Sequence, residues 1–173
     1  MNIAYTIAPG KGDMDLTLLQ LAEALKAQGV RLAGTVQINT ERDCDGPCDM
    51  DVRVLPDGPV IRISQTLGKH AKGCRLDPEA LERAVGHVEQ TLTVGADLLV
   101  VNKFGKHEAD GRGFRNTIAT ALADDIPVLV GLNALNKQAF LDYVGGTATE
   151  VKAEVGALES WAQHATKQIK ATP

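Results

Sequence analysis

The sequence predicts a three-layer α/β fold with a mainly parallel sheet, an inserted β-hairpin and a C-terminal helix. Three observations predict it. Short apolar runs bounded by turn residues alternate with stretches of helical period. Two of those runs, DLLVVN at 97–102 and IPVLVGL at 126–132, are continuously apolar, as strands buried on both faces are. One segment, residues 52–64, instead alternates around Pro56-Asp57-Gly58, a turn signal between two strands.

Each element follows from its own residues. Residues 2–7 form a short apolar strand. Leu18, Leu21, Ala22 and Leu25 share one helical face, and Gly29 stands where helices end. LAGTVQI at 32–38 is a second strand. Residues 39–50 lack periodicity and hold Asp43, Asp45, Asp49, Cys44 and Cys48, so a loop is expected. The hairpin follows, then a polar loop at 65–76. Asp77 with Pro78 behind it is an N-cap followed by a first-turn proline. Leu81, Val85, Val88 and Leu92 make the buried stripe of that helix. A helix at 111–124 carries Phe114, Ile118, Ala121 and Leu122, and a short one is expected at 135–143.

The chain divides by this reading into an α/β unit, residues 1–146, and an amphipathic helix, residues 147–173. In the tail, Val151, Val155, Leu158, Ala162, Ala165 and Ile169 follow steps of four and three. That seam either packs on its own domain or docks on a second subunit, which would make a homo-oligomer.

Bulk composition narrows the function. The 173 residues are 44% hydrophobic and 23% charged, within the range of globular proteins. A formal net charge of −4 and 3% aromatics argue against nucleic acid as a partner. No apolar run reaches the length of a membrane span. The chain enters a strand at once, without a signal-peptide layout, so a cytoplasmic protein is expected. Three cysteines are an odd set, which argues against a closed disulfide framework.

The loop after the first strand carries the main chemical question. A phosphate loop reads G-x-x-x-x-G-K-[ST] between a strand and a helix. Here the window is IAPGKGDM, residues 7–14. Pro9, Gly10, Lys11 and Gly12 supply a permissive backbone whose amides could cradle an anion. Asp13 replaces the phosphate-clamping lysine, and Met14 replaces the Mg²⁺-ligating hydroxyl. A unit charge pair near 4 Å is worth about 4 kcal/mol at an effective dielectric near 20, so that reversal weighs against a triphosphate in the usual pose. Asp13 also reads as a helix N-cap, with Asp15 in the first turn complementing the macrodipole.

A second window is LLVVNKFGKHE, residues 98–108. Phosphate-loop enzymes end this strand in an Asp that helps hold Mg²⁺, often followed by a Glu that activates water. Asn102 and Lys103 stand there instead. Asn lacks the charge for a firm Mg²⁺ shell, and Lys is no carboxylate base. Lys103 and Lys106 bring positive charge to the same sheet edge.

The strand, the APGKGD loop, VVNKFGKHE, GRGF and IPVLVG together resemble the thermophile-type nucleoside-triphosphatase family of P-loop proteins over residues 1–145. That resemblance implies a P-loop NTPase-like fold. Gly105, Lys106 and Glu108 match its Asp-Glu-x-Gly-Lys-x-Glu segment, while Asn102 and Lys103 depart from it. The segments IAYTIAPGKGDMDL, CDMDVRVLPDG, ISQTLG, GCRLDPEALE and VNKFGKHEADGRGFR are similar to a bacterial family of unknown function encoded near molybdenum ABC-transporter genes. That resemblance implies a link to molybdate or molybdenum cofactor metabolism.

Three further clusters stand out. Cys44, Cys48, His70 and Cys74 have donor types suited to Zn²⁺, or could hold a redox pair, but their spacing is not that of a standard knuckle, and reduced loop cysteines explain them as well. Ser64, Gln65, Lys69, Lys72 and Arg75 suit a tetrahedral oxyanion or a solvated loop. His107 and Glu108, with Asp110 and Arg112, could do acid–base work, though no paired nucleophile accompanies them.

The expected function is therefore non-hydrolytic binding of an anionic ligand, a nucleotide or an oxyanion such as molybdate. Gly10, Lys11, Gly12, Asn102, Lys103 and Lys106 would hold it. The alternatives are a divergent nucleoside triphosphatase using His107 and Glu108, and an interaction module acting through the tail.

Overall fold

The computed structural model describes residues 2–10, 12–40, 49–65 and 75–170. Its sheet is built around the two strands that carry the continuous apolar runs. These are β5 (Leu98–Phe104) and β6 (Val128–Leu132), and they pair parallel at the centre. β1 (Ile3–Ile7) runs parallel to β6, and β2 (Leu32–Thr40) runs parallel to β5. The hairpin strands β3 (Asp49–Val54) and β4 (Val60–Arg62) add antiparallel outside β2. The far edge is β7 (Thr149–Glu150), parallel to β1. The order is β4-β3-β2-β5-β6-β1-β7, a single seven-stranded sheet.

Strand alternation divides the core into two layers. Ala4, Leu98 and Val100 face one side, where α1 (Asp13–Ala27) and α6 (Val155–Lys170) lie. Tyr5, Leu99 and Val101 face the other, with α2 (Pro78–Val94), α4 (Arg115–Ala123) and α5 (Lys137–Tyr143). The Asp77 carboxylate accepts from the Ala80 amide at 3.1 Å, the cap expected from Asp77-Pro78.

Several boundaries differ from expectation. The loop at 39–50 is shorter, because β2 continues through Thr40 and β3 begins at Asp49. The helix expected from residue 111 starts at Arg115, because Gly111 and Gly113 take positive φ. A four-residue helix, α3 (Lys106–Ala109), precedes it. Asp13 is not the N-cap: Gly12 is, at φ 87°, and no side chain caps the helix. A left-handed conformation at that point favours glycine.

The tail does two things. Thr149–Glu150 extends the sheet, held by the Val151 amide on the Tyr5 carbonyl at 2.9 Å. Tyr5 donates to Glu150 at 2.7 Å, and Lys137 bonds the same carboxylate at 2.8 Å. Leu158 and Ala162 are then fully buried in the layer that α1 lines. Leu158 and Ala162 of the seam pack in the same core cluster as the chain's own first helix. Burying one leucine side chain contributes about 2 kcal/mol.

Candidate functional site

The β1–α1 loop brings its residues where a phosphate loop would, but a carboxylate is already there. A Cβ built on Gly10 would collide with the Asp13 carboxylate, so Asp13 folds back over the glycine. One turn on, Asp15 is only 5% exposed. It accepts from Asn102 Nδ2 at 2.8 Å and Gln37 Nε2 at 3.2 Å, and Lys103 Nζ lies 3.8 Å away. Asn102 therefore spends its donor on Asp15 rather than on an anion. Its Oδ1, and Thr6 Oγ1, are buried without a hydrogen-bond partner among the described residues. Two carboxylates stand at the start of α1, where the usual nucleotide pose needs a cation and a hydroxyl. The residues present do not fit Mg²⁺–triphosphate in that pose.

The open space lies elsewhere. A cavity of about 710 Å³ sits on the α2 side of the sheet, over the carboxyl ends of β2 and β5. Its floor is mostly apolar, made by Met50, Ile63, Leu76, Leu81 and Phe114 beside the buried polar Thr35 and Gln37. Its mouth carries Arg75, Lys103, Lys106 and Arg112 against Asp110, and the buried Glu108 also lines it. Of the described loop residues, Pro9, Gly10, Gly12 and Asp13 do not line it, nor does Asn102.

An irregularity in β5 explains how adjacent residues serve the two sites. The pairing with β6 shifts register between Val101 and Phe104, and both of those side chains lie in the same core layer. Regular alternation would put residues three apart on opposite faces. The shift leaves buried Asn102 toward α1, while Lys103 borders the cavity and still reaches Asp15.

The segment after β5 is a compact turn. Asp110 N bonds Lys106 O at 2.9 Å, and Arg112 N bonds His107 O at 3.1 Å. Glu108, 3% exposed, staples it from inside, accepting from Gly105 N at 2.9 Å and Phe114 N at 3.4 Å. Burial pushes its carboxyl above the ordinary range, opposed by those amides and His107. His107 Nε2 lies 3.0 Å from Glu82 Oε1, which also accepts from Gly113 N at 2.9 Å. Both groups named for acid–base work thus have structural partners.

The hairpin cluster separates. Ser64 Oγ donates to Asp49 at 3.2 Å and accepts from Met50 N at 3.1 Å; it braces the hairpin and does not line the cavity. Gln65 is exposed and contributes its backbone amide to Arg75 O at 2.6 Å. Arg75 does line the cavity, with Asp49 at 3.7 Å. Asp49 and Asp51 pair with Arg62 at 3.0 and 3.1 Å. Lys11, Cys44, Cys48, Lys69, His70, Lys72 and Cys74 lie outside the described residues. Among the described residues no cluster of His, Cys, Asp or Glu could hold a metal ion, and no helix is long and apolar enough to cross a membrane.

Sequence reasoning missed the burial of Asp15 and the part played by Glu82. Position 15 is in step with 18, 22 and 25 on the buried face of α1. That spacing was a usable signal.

Residues 3–161 match the model of a family described as "Protein of unknown function (DUF2478)". The molybdenum import ATP-binding protein ModC 2 of Bradyrhizobium diazoefficiens is 34% identical over 169 residues, 98% of this chain and 19% of that protein. The chain thus spans less than a fifth of that relative's length. A human cancer-related nucleoside triphosphatase is alike in structure, with TM-score 0.65, 14% identity and 100% of both chains covered. THEP1 from the hyperthermophile Aquifex aeolicus gives TM-score 0.63 and 14% identity, over 95% of this chain and 96% of that one. These likenesses bear on fold alone, and the fold is the P-loop NTPase-like α/β arrangement that the sequence resemblance implied.

Proposed function

This chain belongs to the DUF2478 family, and from that premise we propose that it binds an anionic ligand without cleaving it. One observation carries the reading. Carboxylates occupy the start of α1, while the cations gather at the mouth of the cavity on the other side of the sheet. Of those cations, Lys106 and Arg112 have no acidic partner among the described residues. An anion at the mouth would meet attraction; one at Gly10 would meet Asp13.

The ligand is a nucleotide or an oxyanion such as molybdate. The relative named for molybdenum import supports a role in molybdenum homeostasis, as a carrier or a regulatory module. Calorimetry and thermal shift with ATP, GTP and molybdate test binding. No heat and no shift with any of them counts against it.

The competing reading is a divergent nucleoside triphosphatase. The buried Glu108 and its neighbour His107 favour it, because both border the cavity and the Glu108 carboxyl is held above its ordinary range. Phosphate release from a nucleotide panel with Mg²⁺ separates the two. Turnover lost in Glu108→Gln and Lys103→Ala would establish the enzyme.

A further inference from the structure

We infer that the cavity takes an organic phosphate monoester, its apolar or planar body on the floor and its phosphate between Lys106 and Arg112. This rests on the anion-site reading above and narrows the ligand class.

Size is the first argument. A cavity of about 710 Å³ is built for a molecule of many atoms. A bare tetrahedral oxyanion, only a few times the roughly 30 Å³ share of one water, would leave most of it wet. The second argument is the wall. Ile63, Leu81 and Phe114 are almost fully buried and Met50 and Leu76 partly so, and none gives an inorganic ion a side-chain donor. The floor rewards an apolar body.

The third argument is charge. Lys103 is drawn to Asp15 at 3.8 Å and Arg75 to Asp49 at 3.7 Å. That leaves Lys106 and Arg112, both exposed, with Asp110 beside them. Two such cations match one phosphate monoester, whose charge is about −1.5 to −2 at neutral pH, better than a triphosphate chain. The fourth argument is rigidity. Lys106 and Arg112 ride on the turn that Glu108 staples, so the backbone beneath them is already fixed and only their side chains are ordered on binding.

The test is calorimetry on the full chain with 1-naphthyl phosphate, AMP, GMP, inorganic phosphate, molybdate and 1-naphthol. At least one organic monophosphate should bind about a hundredfold tighter than inorganic phosphate, the effect of roughly 100 Å² of apolar contact. Lys106→Ala and Arg112→Ala, at exposed positions, should each weaken it about tenfold. Met50→Gln and Leu76→Asn should weaken the organic monophosphates and leave inorganic phosphate unchanged. Molybdate or inorganic phosphate binding as tightly as every organic monophosphate overturns this inference and leaves the anion site standing. Binding of 1-naphthol equal to that of its phosphate, or no binding of any anion, overturns both.

Discussion

Asn102 Nδ2 donates a 2.8 Å hydrogen bond to Asp15 Oδ1, joining positions 87 residues apart. The bond ties the end of β5 to the first turn of α1, both buried. The amide nitrogen at 102 is matched to the carboxylate at 15, while Asn102 Oδ1 is left without a hydrogen-bond partner among the described residues. Asn102→Asp should therefore place two carboxylates within one hydrogen-bond length. We expect a loss of about 3 kcal/mol at neutral pH by urea unfolding. An unchanged midpoint would mean that the contact between positions 102 and 15 does not contribute to the fold's stability.

Asp13→Lys with Met14→Thr restores the two loop side chains that bind phosphate and metal. It removes the carboxylate above Gly10. Calorimetry with Mg²⁺–ATP should register an affinity gain of about tenfold or more. Phosphate release should stay at background, because Asn102 and Lys103 still stand in place of the acidic pair. Affinity equal to that of the unaltered chain would show that the Asp13 carboxylate is not the obstacle.

Glu108 links stability to pH with a defined sign. Burial raises its carboxyl above the ordinary 4.5, so the fold prefers the protonated form more than the unfolded chain does. Its contribution is full below that ordinary value and falls away as pH climbs through the raised one. Glu108→Gln keeps one acceptor and cannot ionise. Urea midpoints should show the variant's deficit shrinking from mildly acidic to neutral buffer. A deficit that grows with pH would reverse the sign assigned here.

Leu158 is fully buried against the layer that holds Leu18 and Leu21. Leu158→Ala should cost about 2–4 kcal/mol by denaturant unfolding. Removing residues 155–173 should destabilise the whole chain, because α1 loses its cover. A truncated chain as stable as the full one would mean the tail is an attachment and not part of the core.

How much of this was legible in the sequence depends on element length and on context. β5 and β6 were plain because burial on both faces writes a continuous apolar run. The Asp77-Pro78 cap was plain because its chemistry is local. α3 and β7 were not, since four and two residues carry no periodicity. At the site, Lys103, Lys106 and Arg75 were named and do border the cavity. The separation of Asn102 from Lys103 could not be read, because it comes from the register shift in β5, set by pairing with β6. Asp13 suits a cap by its type alone; the left-handed backbone at Gly12 moves the helix start, and that carboxylate lies over Gly10.

The sheet's two outer strands are short: three residues in β4 and two in β7. β4 also carries Arg62, engaged with Asp49 and Asp51, and Glu150 of β7 is engaged with Tyr5 and Lys137. A foreign strand seeking to extend this sheet finds few backbone positions at either rim and charged side chains beside them. A fold whose centre is as apolar as β5 and β6 thereby avoids offering that surface as a template for fibrils.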